Sequence, residues 1–416
     1  MAIIKPFKGL RPPKELVEEV ACLPYDVMNS EEATQMAAGK EASLLRITRA
    51  EIEFEKGIDS HDEKVYLHAR SNFDAFQDKG FLVQDSEDKY YIYAQTMNGK
   101  TQYGIVGAAS CQDYLEGKIK KHELTRPDKE EDRKVLSRIL EANIEPVFFT
   151  YRAVPEIDEI VSNFVSNNDP QYDFTAEDGF GHHFWVIDDA NINKRIELLF
   201  KEKVPFTYVA DGHHRTAAAA GMSDEFRKKN PNHTGDEAYN FFMAVHFPDN
   251  QLQIIDYNRV VKDLNGLSPT EFINKIEENF IVKQINESII KPKKLHDFSI
   301  YLDGKWYALT AKNSTFNDDN PIDSLDVSVL SKYILEPILN IKDLRTDTRI
   351  EFVGGIRGLD ELSKRVDSGE MAVAFALFPV SMNQLMNIAD TGNIMPPKVT
   401  WFEPKLRSGL VINKLA

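Results

Sequence analysis

Five consecutive residues, Asp211, Gly212, His213, His214 and Arg215, place a carboxylate, a flexible turn, two imidazoles and a guanidinium side by side. The stretch before them, "PFTYVA" at 205–210, is short, aromatic and β-branched and led by a proline, which predicts a buried strand. The stretch that follows, opening on Thr216, is a run of alanines and predicts a helix. Gly212 is therefore expected at a strand-to-helix corner, where the first helical amides lack partners and the positive end of the helix dipole lies. Such a corner attracts anions, phosphate first among them. Arg215 adds a planar fork suited to phosphate oxygens, and Asp211, His213 and His214 add a base, a metal ligand or a proton donor. A purely structural node, with Arg and Asp paired to each other, is the alternative. Charges crowded beside an apolar strand are costly unless paired or used, which favours function.

Two further segments carry suitable residues. In "KHELTRPDKEEDR", His122, Glu123, Thr125 and Arg126 precede a helix start, so a phosphate or carboxylate can sit there; the competing reading is a capped, solvated helix. In the tail "PPKVTWFEPKL", Lys398 and Lys405 lie in a proline-stiffened loop that can hold point charges in place, although exposed lysines are usually just solvated. Other stretches promise less. "PYDVM" sets Tyr25 and Asp26 after a proline, to line a pocket or cap a helix at Ser30, and alternation along a strand sends His182 and His183 to opposite faces. "FVGGIRG" lacks the spacing of a nucleotide-binding glycine loop and reads as a turn. The zincin, paired CxxC and GxSxG signatures are absent from the sequence.

The elements that must position these residues alternate along the chain. "SLLRIT" (43–48) reads as a strand, 60–79 as a helix closed by Gly80, and 89–110 as a hairpin turning at Asn98-Gly99. Pro127 is expected to open a helix. Beyond it come a strand at "PVFFTY", a helix near 156–167, a hairpin around 177–188, a helix near 189–201 and then the corner. Residues 262–295 read as helix with loops, followed by a hairpin at Asp303-Gly304 and helices near 324–340 and 358–368. Frequent hairpins among alternating elements predict an α+β fold with mixed sheets. Three parts are expected: 1–145, a central 146–262 with the corner, and 263–416 returning the lysine-bearing tail.

At 416 residues with a net charge of -16, the chain is large enough for several cores and too acidic for broad binding to nucleic acid or an anionic membrane. No apolar run reaches the length of a membrane span, and the opening lacks the apolar core of a signal peptide. Two cysteines in so long a chain point to a reducing cytoplasm. A homo-oligomer stays open.

"KPFKGLRP", "PYDV", "HELTRP", "ADGHHRTAAA" and "MPPKVTWFEPKLRSGL", in that order, resemble the bacterial and archaeal family called domain of unknown function 1015, from the first ten residues to the last ten. Over about ten residues, "ADGHHRTAA" also resembles the Asp-Gly-His-x-Arg corner of free-serine kinases related to the ParB/sulfiredoxin fold. That likeness implies His213 and Arg215 on nucleotide phosphates and Asp211 at the metal or the acceptor hydroxyl, with His214 at a position those kinases leave variable. It implies a kinase using Mg2+ with ATP or ADP, and free L-serine as the first substrate to consider. Phosphoryl transfer suits these residue types, since it needs positioning and cationic stabilisation, and a carboxylate, Glu123 or Asp211, to take the hydroxyl proton. If the three segments converge, His122, Thr125, Arg126, Lys398 and Lys405 join Gly212, His214, Arg215 and Thr216 around phosphate. Two rivals remain: a ParB-like nucleotide-binding regulator, and a metal-dependent phosphohydrolase using Asp211, His122, His213 and His214.

Overall fold

A computed structural model describes residues 1–286, 289 and 291–415. The chain forms two compact units, residues 1–252 with 404–416, and residues 253–403. Both are mixed helix and sheet, so the α+β class holds.

A nine-stranded sheet forms the centre of the first unit, in the order Ile119–Lys120, Thr207–Asp211, Val147–Tyr151, Phe241–Pro248, Lys100–Ser110, Tyr90–Met97, Gly181–Ile187 and Tyr172–Thr175, with Ile4–Lys5 pairing Lys100–Ser110. It is mixed: Thr207–Asp211 runs parallel to Ile119–Lys120 but antiparallel to Val147–Tyr151, which in turn runs parallel to Phe241–Pro248. The strands that hold the corner are central, and Val147, Phe149, Val209 and Ala244 are buried beside Ala219 and Ala220 of the helix His213–Lys229. Alanines here let that helix approach both the sheet and the helix Pro127–Leu140. A small second sheet threads Ile412–Lys414 between Gly9–Arg11 and Ala142–Asn143, tying the end of the chain into this unit.

The second unit is built on a six-stranded antiparallel sheet, Phe280–Ile285, Lys305–Ala311, Asp297–Leu302, Val373–Leu377, Tyr257–Val261 and Ile350–Gly354. Among the described residues, no helix in the chain is long and apolar enough to cross a membrane.

Local chemistry set much of this correctly. Asn98-Gly99 and Asp303-Gly304 turn hairpins with positive φ at both residues of each pair, and Pro127 opens its helix. Three expectations fail. "SLLRIT" contains a helix, Leu45–Thr48, because Leu44, Leu45 and Ile47 pack together into the core formed with the helix Glu63–Asp78. The 262–295 stretch holds a helix, Pro269–Ile276, but also the strand Phe280–Ile285; residues 287, 288 and 290 of it lie outside the described residues. That strand is an edge with Ile281 63% exposed, so the burial alternation that marks strands is weak there. "FVGGIRG" is strand through Gly354 before a 3-10 turn at Gly355–Arg357. Its glycines serve close approach, since a Cβ on Gly355 would lie 2.5 Å from the Asp256 carboxylate.

Candidate functional site

The corner forms where the sequence placed it. The strand Thr207–Asp211 carries a register irregularity between Val209 and Asp211: Ala210 is the extra residue, and Asp211 ends the strand paired with Phe148. Gly212 follows in the left-handed region, φ 98° and ψ 33°, and the helix begins at His213. A Cβ at Gly212 would sit 3.1 Å from the Arg215 guanidinium, so the turn needs glycine both for its φ and for space. Thr216 donates both its backbone N–H and its hydroxyl to the Gly212 carbonyl, each at 3.0 Å. Thr216 is thus spent on holding the turn. The amides of His213, His214 and Arg215 come before the first intrahelical bond and form the anion-attracting end.

His213 is buried at 6% exposure, and among the described residues its Nε2 has no hydrogen-bond partner. Its ring meets that of buried His122 edge to face, 4.5 Å between centroids, while its Nδ1 lies 3.9 Å from Glu123 Oε2. Burial drives the His213 pKa well below the ordinary value, reinforced by His122 and opposed by Asp211. Burial likewise pushes His122 down to about 4. Both imidazoles are neutral at physiological pH, each with one donor and one acceptor nitrogen.

The "HELTR" segment is brought to the corner. Arg126 donates its backbone N–H to His214 Nε2 at 3.0 Å, so the His214 ring docks the segment. Burial is the largest cause of the lowered His214 pKa. The Arg126 guanidinium is 69% exposed and pairs with Asp128, and the Thr125 hydroxyl donates to Glu130 Oε2 at 3.1 Å. Of this segment, His122 and Glu123 meet the corner histidine; the Thr125 and Arg126 side chains serve their own helix start.

The tail contributes Lys405 to the corner. Lys405 Nζ lies 3.1 Å from Asp211 Oδ2. Burial alone would raise the Asp211 pKa, but Lys405 and then Arg215 outweigh it and hold the carboxyl well below the usual range. Lys398 belongs to the second unit, where it adopts φ 59°, its carbonyl accepts from Arg259 and its ammonium lies 5.8 Å from the Tyr257 ring centroid.

Arg215 is 9% exposed and turns inward beneath the corner. Its Nη1 donates to the Pro146 carbonyl at 2.6 Å, and its buried Nε has no partner among the described residues. Burial opposes its charge, but Asp26, Glu145 and Asp211 together more than restore it. The buried Glu145 accepts from the Tyr25 backbone N–H at 2.9 Å and lies 3.5 Å from Arg133 Nη1, while the Arg133 guanidinium stacks on the Tyr25 ring at 3.9 Å. A water-sized cavity of about 30 Å3 opens among Arg133, Glu145 and Arg215. Sequence reasoning missed Glu145 and Arg133 and passed quickly over Tyr25. A charged residue immediately before the proline that leads a buried strand, as in "EPVFF", was the available signal.

The corner gathers free helix amides and His213 with two carboxylates and a lysine. Among the described residues, no group of three or more His, Cys, Asp or Glu is arranged to hold a metal ion. Asp211 with His122, His213 and His214 therefore does not make a ready-built metal centre, since the His214 nitrogen already holds Arg126.

A family model described as Protein of unknown function (DUF1015) matches residues 4–328. No curated protein matches the sequence. Among solved structures, a free serine kinase in complex with AMP is 13% identical at a TM-score of 0.36, covering 74% of this chain and 91% of that one. A conserved hypothetical protein from Pyrococcus furiosus is 13% identical at 0.35, covering 74% and 95%. C-terminally truncated SbnI from Staphylococcus aureus is 10% identical at 0.39, covering 74% and 87%.

Proposed function

The chain belongs to the DUF1015 family, whose matched region contains the whole corner, and we propose that this corner binds a nucleotide by its phosphates and transfers a phosphoryl group to a small hydroxyl-bearing acceptor. The observation that carries the reading is the buried, unpartnered Nε2 of His213 at a helix start opened by a left-handed glycine. An unsatisfied polar atom in such a place is costly unless a ligand completes it. In its Nε2–H tautomer, His213 donates to a phosphate oxygen alongside the first helix amides. Free L-serine is the first acceptor to test, because "ADGHHRTAA" resembles the corner of free-serine kinases.

In the transfer, the acceptor oxygen bonds to the terminal phosphorus of ATP or ADP and the bridging P–O bond breaks, its electrons leaving with the shortened nucleotide. The hydroxyl proton passes to a carboxylate. Asp211, held strongly acidic by Lys405 and Arg215, is a weak base, so we assign proton acceptance to Glu123 and leave Asp211 to orient Lys405. The donor chemistry at Asp211, an ionised oxygen, suits Mg2+ carried by the nucleotide, and such an ion would neutralise charge on the phosphates. Arg215 supports the site from beneath, fixing the Gly212 turn.

Phosphorus NMR of the purified protein with Mg2+, ATP or ADP and free amino acids tests the proposal. A phosphomonoester resonance matching phosphoserine is expected. Nucleotide bound with no phosphomonoester formed would refute transfer and leave a binding-only switch; inorganic phosphate as sole product would indicate a hydrolase.

A further inference from the structure

The first unit contains a second, larger cavity, of about 610 Å3, whose lining includes none of the corner residues. Leu23, Met36, Leu45 and Phe174 give it apolar walls, and Arg407 lies in its lining although that side chain is only 6% exposed. Volume, apolar walls and one buried charged group are the properties of a small-molecule site.

Most of its polar groups are already committed. Arg407 Nε donates to His182 Nε2 at 3.3 Å and Nη2 pairs with Asp178. Lys40 pairs with Glu177 at 3.0 Å, and Glu19 accepts the Ala42 amide at 2.7 Å. The charged groups left over are Arg407 Nη1, which makes no hydrogen bond among the described residues, and Glu18 on the exposed rim, which makes none either; the Ser43 and Thr175 hydroxyls also line the cleft. A buried donor and an exposed acid in one lining, together with apolar side chains, complement a ligand with a carboxylate, an ammonium and a hydrocarbon body.

We propose that this cleft binds a small zwitterion, an α-amino acid with an apolar side chain. The carboxylate bonds Arg407 Nη1, the ammonium faces Glu18, and the side chain packs on Met36 and Phe174. The site stands apart from phosphoryl transfer at the corner, and its test does not depend on that chemistry.

Calorimetric titration of the full-length protein with L-leucine, with 4-methylpentanoate and with isoamylamine decides the matter. Leucine is expected to bind, and each analogue lacking one charge to bind more weakly. Met36→Trp, which narrows the cleft at its apolar wall, should weaken leucine binding; Glu18→Gln, an exposed change that leaves the fold intact, should weaken it roughly twofold to fivefold. Failure of leucine to bind, equal binding of 4-methylpentanoate, or unchanged leucine affinity in Glu18→Gln would overturn the proposal.

Discussion

Lys405 and Asp211, 194 residues apart in sequence, form an ion pair at 3.1 Å, so a residue near the end of the chain sets the charge at the corner. Burial by itself would push the Asp211 carboxyl toward neutrality; its cationic neighbours hold it as the anion. The tail is therefore part of the site.

Replacing Lys405 by Met should raise the Asp211 pKa and destabilise the first unit by about 2 kcal/mol near neutral pH, less than a fully buried pair would lose. Because the stabilisation from a depressed carboxylate is full above the unfolded pKa and is lost progressively as pH falls toward the folded one, the difference between variant and wild type should begin to shrink as pH falls below about 4. Urea unfolding at both pH values measures it, and a pH-independent difference would contradict the electrostatic account.

At Gly212, alanine must adopt φ 98° and bring its Cβ within 3.1 Å of the Arg215 guanidinium. Gly212→Ala should cost on the order of 1–3 kcal/mol and weaken nucleotide binding together. Isothermal titration and denaturant unfolding on the same preparation provide both numbers.

His213 can be probed by what each replacement retains. Glutamine keeps a side-chain N–H near the imidazole position and leucine does not. His213→Leu should lower nucleotide affinity by about tenfold or more, the worth of one hydrogen bond to a charged group, with His213→Gln intermediate. Equal affinities for both would remove His213 from the phosphate site.

Four buried histidines make stability fall on acidification. Burial is the largest cause in each: it pushes His122 and His246 down to about 4 and His182 down to about 3, and it drives His213 well below normal. The unfolded chain takes up protons below about pH 6.5 that the folded chain refuses, so each group costs about 1.4 kcal/mol by pH 5.5. His246 lies edge-on to both Phe149 and Phe200, each 5.5 Å away. His246→Phe should reduce the loss between pH 7.5 and 5.5 by about 1.4 kcal/mol, read from urea midpoints.

Cutting the charge on Glu145 tests the cluster beneath the corner. Glu145→Gln can still accept the Tyr25 amide but leaves Arg133 and Arg215 without their shared anion. A loss of about 2–3 kcal/mol is expected from equilibrium unfolding, slightly less than for removing a buried partner outright.

Local backbone chemistry was legible along the chain. Asn98-Gly99 and Asp303-Gly304 demanded hairpins, Pro127 opened a helix, and "TYVADGHHRTAAAA" read as strand, glycine corner and helix, as it folds. Tertiary structure alone decided how that corner is furnished. It made "SLLRIT" helical against a core, gave Thr216 and His214 to turn and segment docking, turned Arg215 inward to Pro146 and Glu145, and brought Lys405 to Asp211. Those outcomes depend on partners tens to hundreds of residues away, whose pairing follows from burial and charge balance rather than from any local spacing.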